Sequence, residues 1–173
     1  MKVSEILASS SKAFPSLEIA YDTFGTLASD KSNVIWVCHA LTANSDVADW
    51  WPHTVEEGCF LDPAKYFTVC ANFLGSHYGT TGPLSVNPAT GELWYGDFPL
   101  VTVRDMVRAH QVLAEHLGIS RVKLLIGSSI GGIAPCLGHM RPFQIQRTDH
   151  PFSACEGQLS RDPCLGISVG QFR

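Results

Sequence analysis

The sequence is sparing with charge and with any concentration of it. Asp, Glu, Lys and Arg make up 16% of its 173 residues, and basic residues never cluster into a run. A net charge of −4 and a pI near 5.9 supply no general attraction to nucleic acid or to an anionic membrane surface. No uninterrupted apolar stretch approaches the length of a bilayer crossing. The first residues, MKVSEILASSSKAF, carry one early lysine and no sustained apolar core, which argues against a secretory signal. The cysteines at 38, 59, 70, 136, 155 and 164 never form a Cys-x-x-Cys pair. They read as cytosolic thiols, with no metal site expected and a cytoplasmic location. Internal repeats and low-complexity tracts are also missing.

What is present suits a globular protein. Apolar residues reach 45%, and a chain of this length buries roughly 70% of its unfolded surface as one domain. LEIAYDTFG (17–25) alternates apolar and polar residues like a half-exposed strand. VIWVC (34–38), FTVCANF (67–73) and VKLLIG (122–127) are short continuous apolar runs, as expected of strands covered on both faces. Between them, 103–117 has helical spacing, with Val103, Met106, Val107, Leu113 and Leu117 on one face. Thr102 and Asp105 form a capping-box pattern, and Gly118 stands where a helix ends. NPATGELWYGDFP (87–99) reads as surface loop. Strands alternating with helices point to an α/β protein with a mainly parallel sheet.

The chemistry-bearing stretch is Gly127-Ser128-Ser129-Ile130-Gly131, a G-x-S-x-G pattern that follows a buried strand. Such a pattern makes a sharp strand-to-helix turn that lifts the serine out of the packed layer, and its small residues let backbones pass closely. Ser129 takes the nucleophile position, and the Ile130 N–H faces the developing oxyanion. The second oxyanion N–H comes in this plan from the loop after an earlier strand, here His39-Ala40-Leu41-Thr42, which assigns it to Leu41. His39 itself reads as a satisfied histidine at a strand end, because the base in this plan follows the serine. Thr42, and Thr81 in the loop GTTGP (79–83), are the substrate-binding candidates, although a bare turn explains GTTGP equally well. Trp50 and Trp51 can wall a site mouth or simply pack. His110 and His116 read as structural.

CHALTANSDVADWW, CANFLGSHYGTTGPLSVNP, FPLVTVRDMVRAHQVLAEHLGI and LLIGSSIGG, in that order, resemble the homoserine O-acetyltransferases over most of residues 15–132. The resemblance implies an α/β-hydrolase fold, of which residues 1–132 are the N-terminal part, up to and including the nucleophile elbow. It implies acetyl transfer from acetyl-CoA to the hydroxyl of L-homoserine in methionine biosynthesis, with Ser129 as nucleophile and no bound cofactor. Homodimers are implied for full-length relatives, and no nucleic-acid or membrane partner. A succinyl donor, a plain serine hydrolase or esterase, and a non-catalytic fragment are the alternatives.

After Gly132 the resemblance stops. Residues 133–173 hold four prolines and three of the cysteines and show no helical or strand period. Pro135 falls in the first turns of the expected helix. The tail offers Asp149, His150 and Asp162, with His139, as late acid and base candidates, and none has the expected strand framework. A shifted reading frame after codon 132 is the expectation for this irregular tail, and with it a chain of little transferase activity.

Overall fold

The structure is a computed structural model. It describes residues 16–133 continuously, together with 2–3, 6–7, 13–14, 144–145 and 167–169. Its centre is a five-stranded mixed sheet in the order Ile167–Val169, Leu124–Ser128, Val34–Cys38, Phe67–Ala71, Tyr21–Phe24. The three middle strands are parallel, with Val37 opposite Cys70 on one side and opposite Ile126 on the other. Tyr21–Phe24 closes one edge antiparallel. Ile167–Val169 and the pair Gln144–Ile145 are the strands described within the expected irregular tail. The other tail residues, with Pro135, His139, Asp149, His150 and Asp162, lie outside the described set.

Val34–Cys38 is apolar throughout because it is buried on both faces. Val34, Trp36 and Cys38 pack with Val107, Ala109, Leu113 and Ala114 of the helix Val103–His116. Ile35 and Val37 meet Val47, Leu61, Cys70 and Ile126, with Trp50, Trp51 and Phe60 half-buried around them. The two tryptophans stack at 5.9 Å as part of this second layer, so packing accounts for them.

The helix begins as expected. The Thr102 hydroxyl accepts from the Asp105 N–H, and the Asp105 carboxylate accepts from the Thr102 N–H at 2.9 Å. It ends at Gly118, whose φ of +65° suits a residue without a Cβ. The expected core face needs one correction: Val103, in the first turn, is 45% exposed, while His110 and Gln111 are buried. Helical spacing alone thus overstates the burial of this first-turn residue. The run at 122–127 also divides, into Arg121–Val122 and Leu124–Ser128, with the Lys123 N–H bonded to the Val34 carbonyl at 2.7 Å.

Strand order reverses at Val34–Cys38: the next strand in the chain lies on one side of it and Leu124–Ser128 on the other. In open α/β sheets, ligands bind beyond the carboxyl ends of strands at such a reversal. Cys38 is opposite Gly127 there, so the loop after 38 and the turn after 128 leave the sheet side by side. No described helix is long and apolar enough to cross a membrane.

Candidate active site

Ser129 follows the strand Leu124–Ser128 at once and opens a 3₁₀ segment, Ser129–Ile133. Its φ is +54°, a left-handed conformation that non-glycine residues adopt rarely and that is concentrated at functional turns. Its side chain is exposed, while Gly127 and Gly131 on either side of the turn are buried. A Cβ on Gly131 would collide with the Cys38 carbonyl and lie 3.0 Å from the His39 carbonyl oxygen. The glycine is therefore what lets the elbow sit directly on the backbone that leads into the 39–42 loop.

That loop is a β-turn closed by the Ala43 N–H on the Ala40 carbonyl at 3.0 Å. Leu41 and Thr42 are its central residues, whose N–H groups the closing bond does not use. Both are exposed, Leu41 by 71%. On the other side, Ile130 stands in the first turn of the 3₁₀ segment, where N–H groups have no partner within the helix. The two expected oxyanion donors thus belong to adjacent turns at the strand-order reversal, with their N–H groups left over by local geometry.

His39 is buried, and its Nδ1 lies 2.7 Å from the Ala40 carbonyl. Burial pushes its imidazole below the ordinary histidine range, partly opposed by that hydrogen bond. It shapes the loop, as the sequence suggests. Neither buried thiol nearby is a nucleophile: burial raises Cys38 to about 12 and Cys70 well above its ordinary value. Among the described residues, no histidine hydrogen-bonds to Ser129.

Thr81 lies elsewhere. Its hydroxyl accepts from the Glu18 N–H at 2.8 Å, and the Thr80 hydroxyl accepts from the Ala20 N–H at 3.0 Å. Both side chains are buried. Their loop and the strand Leu17–Glu18 border a cleft of about 440 Å³ lined by Ser16, Glu18, Ser76, His77 and Thr81. Neither Ser129 nor Leu41 lines that cleft, so it is separate from the elbow and the 39–42 turn. A polar network went unseen in the sequence: Asn72 Nδ2 donates to the Tyr78 carbonyl and to Ser45 Oγ, which donates to Asp22 at 2.6 Å. Its members are far apart in the chain, and no local pattern marks them.

No protein-family model matches the chain. It is 55% identical over 119 residues to a homoserine O-acetyltransferase of Chlorobium luteolum, a match covering 69% of this chain and 33% of that protein. The structure resembles homoserine O-acetyltransferase from Bacillus anthracis with a TM-score of 0.73 and 30% identity, over 80% of this chain and 41% of that one. It also resembles esterase E22, with a TM-score of 0.68 and 29% identity, over 76% of this chain and 40% of that one. The chain spans about a third of the length of the curated relatives it matches. Over the two thirds of its own length that those relatives share, this chain belongs to the homoserine O-acetyltransferase family, and its fold is that of the α/β-hydrolases.

Proposed function

We propose that the chain carries the acyl-accepting half of a homoserine O-acetyltransferase site. Ser129 Oγ attacks the thioester carbonyl of acetyl-CoA, and the oxyanion that forms is held by the N–H groups of Leu41 and Ile130. Collapse of that intermediate expels the CoA thiolate, which takes up the serine proton, and leaves acetyl on Ser129. The hydroxyl of L-homoserine then attacks the acetyl-serine and restores the free enzyme. Thr42, exposed beside Leu41, suits a direct contact with homoserine; Thr81, engaged with Glu18, bears on substrate only through the loop it fixes. Acetyl-homoserine formation fits methionine biosynthesis in the cytoplasm, where acetyl-CoA is at hand.

The observation that carries this reading is the left-handed Ser129 with Gly131 seated on the Cys38 and His39 carbonyls, in a chain 55% identical over 119 residues to a homoserine O-acetyltransferase. A base must still take the serine proton, and in the Ser…Asp…His order of this fold both partners follow the serine. Those positions fall outside the described residues. Without a base the oxyanion site alone sustains only residual rates, so slow turnover is expected of this chain.

Incubating the purified protein with acetyl-CoA, with and without homoserine, tests the proposal. CoA release that depends on homoserine supports it. Release independent of homoserine indicates a serine hydrolase, the second reading, which the likeness to esterase E22 favours. Succinyl-CoA in a parallel arm separates the two acyl donors. No release and no acyl-serine from either donor leaves a non-catalytic fragment.

A further inference from the structure

Beneath the 39–42 turn lie two imidazoles that the acyl-transfer reading leaves unused. His39 and His110 are each 1% exposed, and both pack on the ring of Phe73. The His39 ring centroid is 4.7 Å from that of Phe73, and His110 stacks on it at 5.1 Å and 9°. Their hydrogen bonds settle where each proton sits. The Ala40 carbonyl 2.7 Å from His39 Nδ1 can only accept, so that nitrogen carries the proton and His39 Nε2 is a bare acceptor. The Trp36 indole N–H can only donate, and it reaches His110 Nδ1 at 3.3 Å, so the proton of His110 is on Nε2.

Both Nε2 atoms are buried without a protein partner among the described residues. One is an acceptor and the other a donor, so they are complementary. Buried polar atoms nearly always have a partner, and internal water is the usual one where no side chain reaches. Neither ring escapes by charging: burial lowers both below the ordinary histidine range, His110 to about 3 with His39 adding to the effect.

We propose that one internal water accepts from the His110 Nε2–H and donates to His39 Nε2, making His110 a positioning residue for the Leu41-bearing turn. The water joins the helix Val103–His116 to the residue whose Nδ1–H holds the Ala40 carbonyl at the start of that turn. The assignment of this turn as the oxyanion loop rests on the proposed function; the water and the two tautomers do not.

Two variants and one density map test it. His110→Gln keeps an oxygen to accept from Trp36 and an N–H to donate to the water, whereas His110→Leu keeps neither. Long-range ¹⁵N spectra of the folded protein should show His39 protonated at Nδ1 and His110 at Nε2. In His110→Leu the His39 Nε2 resonance should move towards the value of an unbonded acceptor, and exchange of the Ala43 amide, which closes the turn on the Ala40 carbonyl, should quicken about tenfold. The glutamine variant should restore both signals. Unchanged signals in the leucine variant, or a folded glutamine variant as altered as leucine, overturn the proposal. If the leucine variant does not fold, a crystal structure of the native protein decides: water density within hydrogen-bond distance of both Nε2 atoms supports it, and its absence overturns it. None of these readouts needs acyl transfer, so a catalytically inert chain that holds this water defeats the acetyltransferase reading and spares this one.

Discussion

Two loops leave the carboxyl ends of neighbouring parallel strands, and they are used in opposite ways. The loop after Ala71 closes on itself and on the N-terminal strand: the Gly75 N–H bonds to the Thr81 carbonyl, the Thr81 N–H to the Glu18 carbonyl, and both threonine hydroxyls to backbone N–H groups. Gly82 completes it, since a Cβ there would press to 2.6 Å from the Ser76 carbonyl oxygen. The loop after Cys38 keeps Leu41 and Thr42 exposed, and the bond that closes its turn uses neither of their N–H groups. The two meet where the His39 ring packs on Phe73 and, further on, where Asn72 donates to Ser45 at 3.0 Å. One loop engages its threonine hydroxyls with the backbone, whereas the other leaves its two central turn residues at the surface.

The largest effect should come from removing the nucleophile that the open loop serves. Ser129→Ala should abolish acetylation at that position, and with it any homoserine-dependent CoA release that passes through an acetyl-serine. Gly131→Val comes next, because it drives the elbow off the Cys38 and His39 carbonyls. It should cost about 3 kcal/mol in urea unfolding, the upper range for forced overpacking, and acylation should fall with it. A neutral result would mean that the elbow does not rest on the 39–42 loop.

The closed loop should respond in stability alone. Thr80→Ala and Thr81→Ala each remove a hydroxyl acceptor from a backbone N–H, which should cost about 1–2 kcal/mol with Ser129 acylation unchanged per folded molecule. If Thr81→Ala instead raised KM for homoserine with stability unaltered, Thr81 would be a substrate contact and the contrast between the loops would fail.

A pH-dependent effect follows from the neutral histidines under the open loop. His110 is held at about 3 in the folded protein against an ordinary 6.5, so the unfolded chain binds the extra proton between those values. Stability is then fullest above pH 6.5 and declines as pH falls towards 3, by about 1.4 kcal/mol per pH unit for that proton. Urea midpoints across this range should show a shallower decline in His110→Gln; equal slopes would mean that His110 charges freely in the native state.

Much of this was legible in the sequence where the cause is local. A strand buried on both faces must be apolar along its whole length, so VIWVC announced itself. The capping box and Gly118 announced the helix, because caps are satisfied within a few residues. G-x-S-x-G after a buried run marked the elbow. Long-range causes left no such trace. Asn72 with Ser45, Thr81 with Glu18 and Trp36 with His110 are partners 27, 63 and 74 residues apart, and nothing in either segment names the other. For the same reason GTTGP looked as suited to substrate as to structure: its chemistry is visible in the letters, but what its hydroxyls face is decided by the N-terminal strand.

The account turns on whether the open loop and the elbow form one oxyanion site, and Leu41→Pro asks this most directly. Leu41 is the first central residue of its β-turn, a position proline favours, so the substitution deletes one N–H while keeping the turn. The measurement is the rate at which acetyl from acetyl-CoA appears on Ser129, followed by peptide mass spectrometry in the native and proline forms. The account predicts acetyl on Ser129 in the native chain and a rate lower by about 10²–10³-fold in Leu41→Pro. Equal rates in the two forms, or no acetyl on Ser129 in the native chain, would contradict it.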